Sequence, residues 1–372
     1  GRTLMTSFAG SIGIIGIAMI LALANGVNAY IARTEEETLS SYPLSIQETG
    51  FDMSSVLTTD PGDIEPAADG TIVTRPSFTA TMDSQSTNDL ASLKEYFERD
   101  GGGISAHTRA IEYAYAVAPQ IYQVDTTDSV VRVHPDQSFD RMSAAMGGGG
   151  MLSSFMTFDA FRQLPVASGL YEGTYEVVAG RWPQGAGELV LALPESGRLD
   201  DMYEYTLGLR DHAELDALME SYAAGQAPED IEGLAEERTY SYADIVGRTF
   251  SRVPASQRYT YDETYGVWTD RSDDTDYMRG LVAEGQRLTV VGVVRANDDS
   301  ALLSQGLFYT PALTQQVIAE AADSPIVRDQ IARPDTDVFT GRSFADLASG
   351  EGATSFDMSS LFTVDGEALQ AA

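Results

Sequence analysis

Between Arg2 and Arg33 the chain carries no charged side chain, and Phe8 to Ile31 reads FAGSIGIIGIAMILALANGVNAYI. Such a run has few ways to exist. As a helix rising about 1.5 Å per residue it spans roughly 45 Å, more than the roughly 30 Å hydrocarbon core of a bilayer. A helix also pairs backbone N–H and C=O groups within the segment, which an apolar solvent demands. Arg2 lies on one flank, and Arg33 followed by Glu35, Glu36 and Glu37 on the other. One arginine on each side gives little sense of orientation. The first firm helix breaker is Pro43, which drives Tyr42 out of helical geometry. The pattern predicts one helix from about Thr6 to Ser41, whose last two or three turns stand beyond the lipid as a stalk.

Two other readings compete for the run. A secretory signal also joins a basic start to an apolar stretch, and Ala22-Leu23-Ala24 or Val27-Asn28-Ala29 would suit cleavage. The run is long for a signal, and its helical pattern continues past those sites, which favours a retained anchor. Gly10, Gly13 and Gly16 resemble a phosphate-binding loop, yet no strand precedes them and no polar pocket follows. Small residues at Ala9, Gly13, Gly16, Ala18, Ala22 and Gly26 are read instead as membrane helix packing positions.

Charge narrows the partners. The 372 residues hold 56 acidic and 23 basic side chains, a formal charge of −33. That field repels nucleic acid and anionic head groups, leaving cationic peptides, polycations or metal ions as compatible ligands, or simply a solvated acidic surface. Cysteine is absent, which removes disulfides, thiolate metal sites and thiol nucleophiles. The chain starts at Gly1 and stops in a polar stretch at Ala372, and is expected to be a piece of a longer protein.

Downstream, Pro43 to Ile46 is expected to open a short strand, and Ser54 to Ser86, rich in Thr, Asp, Pro and Gly, reads as loop. Leu90, Leu93 and Phe97 define a helix from about Asp89 to Arg99, ended by Gly101 to Gly103. Alternation at Ile111, Tyr113, Tyr115 and Val117 predicts a strand, and Val130 to Val133 another. Strands are also expected at Tyr175 to Val178 and Glu188 to Leu193, on either side of the turn Gly180-Arg181-Trp182-Pro183. Asp211 should cap a helix with apolar face Leu215, Leu218, Met219 and Tyr222. Leu288 to Val294 (LTVVGVV) predicts a strand buried on both faces, and Thr310-Pro311 a helix start carrying Leu313, Val317 and Ile318.

Few residues suggest chemistry. RMSAAMGGGGMLSSFM sets Met142, Met146, Met151 and Met156 around Gly147 to Gly150. It is either a mobile lip offering adaptable apolar contact to substrate or a loop whose methionines fill space. After Ala243 to Gly247 a loop region is expected, whose Asp270, Asp273, Asp274 and Asp276 lack the oxygen order and closing Glu of a calcium loop. His107, His134 and His212 have no ligand spacing and are expected as lone surface residues. No nucleophile elbow or phosphate loop occurs, so no catalytic residue is assigned.

RTLMTSFAGSIGIIGIAMILALANGVNAYI followed by LSSYPLSI resembles the first transmembrane helix and stalk entry of MacB/FtsX-type ABC transporter permeases of Gram-positive bacteria. Further matches follow in order: Val178 to Pro183 with Glu188 to Leu191, Ile245 to Phe250, and Leu288 to Val294 with Phe308 to Pro311. The resemblance implies an α+β fold with the divisions 1–42 (transmembrane helix and stalk), 43–165 (first part of a porter-like subdomain), 166–287 (an inserted strand-rich subdomain) and 288–372 (second porter-like part). It implies a cell-membrane protein with its ectodomain outside, acting as a homodimer or paired permease, with three more membrane helices after Ala372. ATP and Mg would bind a partner ABC ATPase domain or subunit, and no cofactor would bind this chain. Export or release of peptides, antimicrobials or lipoproteins is the activity implied. Antibiotic sensing, control of a cell-wall hydrolase, or a plain membrane-anchored binding or adhesion role remain alternatives.

Overall fold

The computed structural model describes residues 15–31, 44–51, 85–136, 159–223, 237–298 and 301–349. The chain divides into two compact units, Gly1–Tyr113 and Ala114–Ala372.

In the first unit, residues 15–31 form helix α1. Strands β1 (Thr49–Phe51) and β2 (Gln85–Thr87) pair antiparallel. Helix α2 (Leu90–Glu98) starts where Asp89 accepts the Ser92 N–H at 3.0 Å, which satisfies a first-turn donor. Leu90, Leu93 and Phe97 lie half-buried on its apolar face. Gly102 and Gly103 then adopt left-handed backbone at φ +69° and +67° inside the 3-10 segment Gly101–Ala106. Two expected strands are absent. Residues 44–46 are irregular, with Leu44 exposed, and Ile111 to Val117 form no strand. Alternation defines a face, but a strand also needs a ladder partner, and no described strand pairs with either segment.

The second unit is built on one eight-stranded mixed sheet. Its members are β3 (Ile121–Gln123), β4 (Arg132–His134), β5 (Phe161–Gln163), β6 (Tyr175–Gly180), β7 (Glu188–Leu193) and β8 (Thr249–Arg252), then β11 (Gln286–Ala296) and β12 (Gly306–Tyr309). Between them in sequence, β9 (Tyr259–Asp262) and β10 (Val267–Asp270) make a separate hairpin. The order is β4-β3-β8-β11-β7-β12-β5, with β6 also paired to β11. β11 pairs with β7, and β12 with β5, in parallel; the other ladders are antiparallel.

β11 organises this sheet. β7 follows one of its edges, while β8 and then β6 take the other. Leu288 and Val290 face one core, and after an irregularity at Val290/Gly292 so does Val293. There they meet Leu189, Leu191 and Leu193 of β7, Leu307 and Tyr309 of β12, and Ile121, Phe161 and Phe250. The intervening Val190, Ala192, Val294 and Phe308 enter a second core with Tyr171, Tyr175 and Trp182. The expected doubly buried strand is therefore present, and longer than expected. The sheet also curls: the Phe161 ring of β5 meets the Phe250 ring of β8 edge-on at 5.2 Å, although three strands separate them.

The helices of this unit are α3 (Met202–Thr206), α4 (His212–Ala223), α5 (Tyr242–Ile245), α6 (Thr275–Glu284), α7 (Pro311–Asp323), α8 (Pro325–Ala332) and α9 (Phe344–Ser349). Asp211 caps α4 through the Ala213 N–H at 2.9 Å, and Leu215 is buried as expected. α7 begins at Thr310-Pro311 and buries Leu313. The stretch after Gly247, expected as loop, instead holds β8, the hairpin and the start of α6. The expected boundaries at 165/166 and 287/288 fall inside one sheet, because β6, β7 and β8 bond to β11 while β12 joins β7 to β5. The described strands of 166–287 are thus built into the same layer as their neighbours, apart from the β9–β10 hairpin.

The Gly180-Arg181-Trp182-Pro183 turn pins β6 and β7 against β11. Gly180 has φ +67°, and a Cβ there would lie 2.1 Å from the Val291 carbonyl oxygen; one on Gly292 would lie 2.1 Å from that of Arg181. The two backbones touch where neither residue can carry a side chain. Gly292→Ala is expected to cost at least about 2 kcal/mol in urea denaturation, the scale of overpacking, whereas Gly169→Ala, with open space around it, should stay within about 0.5 kcal/mol.

Candidate functional site

The described part of α1 covers roughly 25 Å along its axis. Every side chain in it is exposed, including Ile15, Ile17, Met19, Ile20, Leu21, Leu23, Val27, Tyr30 and Ile31. Among the described residues no helix is long and apolar enough to cross a membrane. At about 100° per residue, Ala18, Ala22 and Gly26 share one side of α1 and Gly16 points to the other. A Cβ at Gly16 or Gly26 would meet nothing within 4 Å. Ala9 and Gly13 lie outside the described residues, as do Met142, Met146, Met151 and Met156.

The aspartates of 270–276 have local duties. Asp270 accepts from the Ser272 N–H at 2.8 Å, and Asp274 caps α6 through the Tyr277 N–H at 3.0 Å and pairs with Arg271. No group of three or more His, Asp or Glu among the described residues is arranged to hold a metal ion. His107 is exposed as expected, but His134 is not a surface residue: it is buried beneath Phe161 and Tyr309. Its neighbours come from strands remote in sequence, so nothing local announced this.

The most developed polar site of the second unit crosses four strands. His134, Ile121, Arg252 and Gln286 are direct partners from β4 through β3 and β8 to β11 and share one face of the sheet. The Arg252 guanidinium is buried and bonded through each of its three nitrogens. It donates to Gln286 Oε1 at 2.7 Å and holds Glu320 of α7 bidentately at 2.7 and 2.9 Å. Gln316 adds a bond to Glu320 at 2.8 Å. Burial pushes the Glu320 carboxyl up, but Arg252 and Gln316 outweigh it and hold the group below its ordinary range. The cleft beside this pair, bounded by Gln120, Pro254, Val317 and Ala321, encloses about 40 Å³, room for water rather than for a substrate-sized molecule. The arrangement is a staple between sheet and helix. Nothing in the TFSR of β8 distinguishes Arg252 from a surface arginine, so the sequence offered no signal for it.

A second staple lies in the Arg181-Trp182 turn. Arg181 grips Glu188 at 2.8 and 2.5 Å, and the Gln184 N–H donates to the same carboxylate at 2.7 Å. Arg181, and after it the Gln184 N–H, bring Glu188 from 4.5 down to about 2. Trp182 closes the turn on Tyr171 and Tyr175, with ring centroids at 4.8 and 6.1 Å. The motif that carries part of the family resemblance is thus built as a structural corner.

No family model matches the chain, and no curated protein and no solved structure matches it either.

Arg252→Met should strand Glu320 and cost about 3 kcal/mol in urea denaturation, with much of the loss recovered when Glu320→Met is added. The folded carboxyl of Glu188 is depressed, so its contribution is present above about pH 4.5 and fades as pH falls toward 2. Glu188→Gln should therefore lower stability at pH 7 and flatten its fall between those limits, as read from melting temperature against pH.

Proposed function

We propose that this chain is the first membrane helix and the extracellular domain of a MacB/FtsX-type ABC transporter permease. The observation that carries the reading is α1. It carries no charged side chain, has Asn25 and Asn28 among otherwise small or apolar residues and Tyr30, and is exposed along its whole described length, where a helix of a water-soluble body would bury one face. An uncharged flank on each side extends the run to the bilayer-spanning length given by the sequence. The body that follows supports the reading too. It has an α+β core in which Arg252 and Glu320 tie the sheet to α7.

In this reading the body on the mixed sheet is the porter-like part, and the β9–β10 hairpin with α4 and α6 is what the central segment adds to it. ATP and Mg are bound by a separate ABC ATPase domain or subunit. The permease works as a homodimer or pair in the cell membrane, with further membrane helices after Ala372. Movement driven by ATP is passed along the α1 stalk to the ectodomain, which exports or releases peptides, antimicrobials or lipoproteins.

The test is made on the full-length protein in its native membrane. It should resist extraction at alkaline pH, retain Gly13 at the protein level, and co-purify with an ABC ATPase. Ile20→Lys, which costs about 3 kcal/mol of insertion at mid-helix, should reduce membrane recovery. A mature N-terminus at Asn25 or Tyr30, or release by alkaline washing, would establish a cleaved signal and end the transporter reading. Membrane retention without any ATPase partner would leave an anchored binding protein.

A further inference from the structure

The β9–β10 hairpin stands apart from the eight-stranded sheet and gathers aromatic side chains on one face. Tyr261 and Trp268 are direct cross-strand partners, with ring centroids 5.3 Å apart. Tyr259, two residues before Tyr261, shares that face and meets the Phe339 ring at 5.2 Å. Tyr265 stands on the turn, where Asp262 accepts the Thr264 and Tyr265 N–H groups at 2.8 and 3.2 Å. Tyr261 is 48%, Phe339 47% and Tyr265 79% exposed. Adjoining exposed rings differ from the scattered apolar residues that every surface carries. These rings are also held in place. Trp268 Nε1 donates to Asp329 of α8 at 2.8 Å, and Arg333 grips both oxygens of that carboxylate at 2.9 and 2.5 Å. The Trp268 N–H donates to the Val338 carbonyl at 2.9 Å, which fixes the segment bearing Phe339. Aromatic side chains fixed beforehand offer contact area at little entropic cost.

Charge selects the partner. Residues 258–276 and 329–342 hold nine acidic side chains against four arginines, so the ligand that suits them is cationic. Arg271 and Arg333 are paired with Asp274 and Asp329, and Arg258 lies over the Tyr259 ring at 5.6 Å. Glu263, on the turn, and Asp270, directly across from Tyr259, are exposed. The Arg258–Tyr259 contact is itself an instance of a cation resting on a tyrosine of this face. We propose that the aromatic face of the β9–β10 hairpin is a docking surface for a basic segment of another polypeptide, one that interleaves lysine or arginine with bulky apolar residues. The apolar side chains cover Tyr261, Tyr265 and Phe339, while the cations meet Glu263 and Asp270 at a wet rim. A lipid surface fits less well, because inserting the rings would take those carboxylates out of water. The surface rests on these residues alone and is independent of the transporter reading.

Calorimetric titration of the full chain in detergent tests this, with a synthetic peptide repeating Lys-Gly-Leu and one repeating Lys-Gly-Ser. The second carries the same charge without apolar anchors. At low salt the leucine peptide should bind about ten-fold more tightly, and Tyr261→Ser or Tyr265→Ser should cut that preference to about two-fold. Tyr265 projects from a turn and has little packing to lose, so its variant keeps the test open if Tyr261→Ser melts early. Glu263→Gln with Asp270→Asn should weaken the leucine peptide about three-fold or more, and beyond the effect of Glu172→Gln with Glu195→Gln, exposed acids outside the hairpin. Equal affinity for the two peptides, or a preference that survives both tyrosine variants, would overturn the proposal. Displacement of the leucine peptide by phosphatidylcholine vesicles would assign the face to a lipid surface. Sedimentation as a dimer that Tyr261→Ser abolishes would assign it to a second copy, and either result also overturns the proposal.

Discussion

The second unit depends on the backbone contact between Gly180 and Gly292. β11 has ladder partners along both edges, and on one edge two strands share it, β8 at its start and β6 at its end. The chain passes from β6 on that edge to β7 on the other through the Arg181 turn, which lies directly on the β11 backbone at a separation no Cβ tolerates. Once that contact is made, β6 and β7 are fixed against β11 and the alternation of β7 is assigned to its two cores. Leu189, Leu191 and Leu193 go to one and Val190 and Ala192 to the other. The local departure from regular pairing after Val290 brings Val293 to the first core and Val294 to the second, a use of irregularity typical of long strands that serve two layers.

In so acidic a chain the arginines have structural posts. Arg181 grips Glu188, Arg252 grips Glu320, and Arg333 holds Asp329, which in turn accepts from the Trp268 indole at 2.8 Å. Arg248 is used through carbonyls instead, capping the ends of α3 and α5 at Leu207 and Asp244. Each ties elements far apart in sequence or closes a turn. Such pairs contribute specificity of arrangement more than net stability, since taking the ions from water offsets much of their attraction. The excess of acidic over basic side chains repels anions.

An apolar helix and a separately cored body make different demands on their surroundings. α1 buries no face against the rest of the described chain, and in the proposed reading a lipid phase is its environment. The body on the mixed sheet has hydrophobic cores of its own.

Local physics made part of this legible in the sequence. α1, the capped α2, β7, β11 and the Thr310-Pro311 start of α7 could be read because each is signalled by its own residues: unbroken apolarity, a cap, alternation or a proline at the first turn. The false strand at Ile111 to Val117 shows the limit of that reading, since alternation prepares a face but the ladder partner must come from elsewhere. The β9–β10 hairpin and α6 were hidden because their aspartates looked like loop until Asp270 and Asp274 were seen serving a turn and a cap. What tertiary structure alone decided is which distant residues meet: Arg252 with Glu320, Gly180 with Gly292, His134 with Asp159 and Phe161. Those contacts join positions from tens of residues to more than a hundred apart. Their energy arises only when the sheet has curled and excluded water, a condition no window of sequence contains.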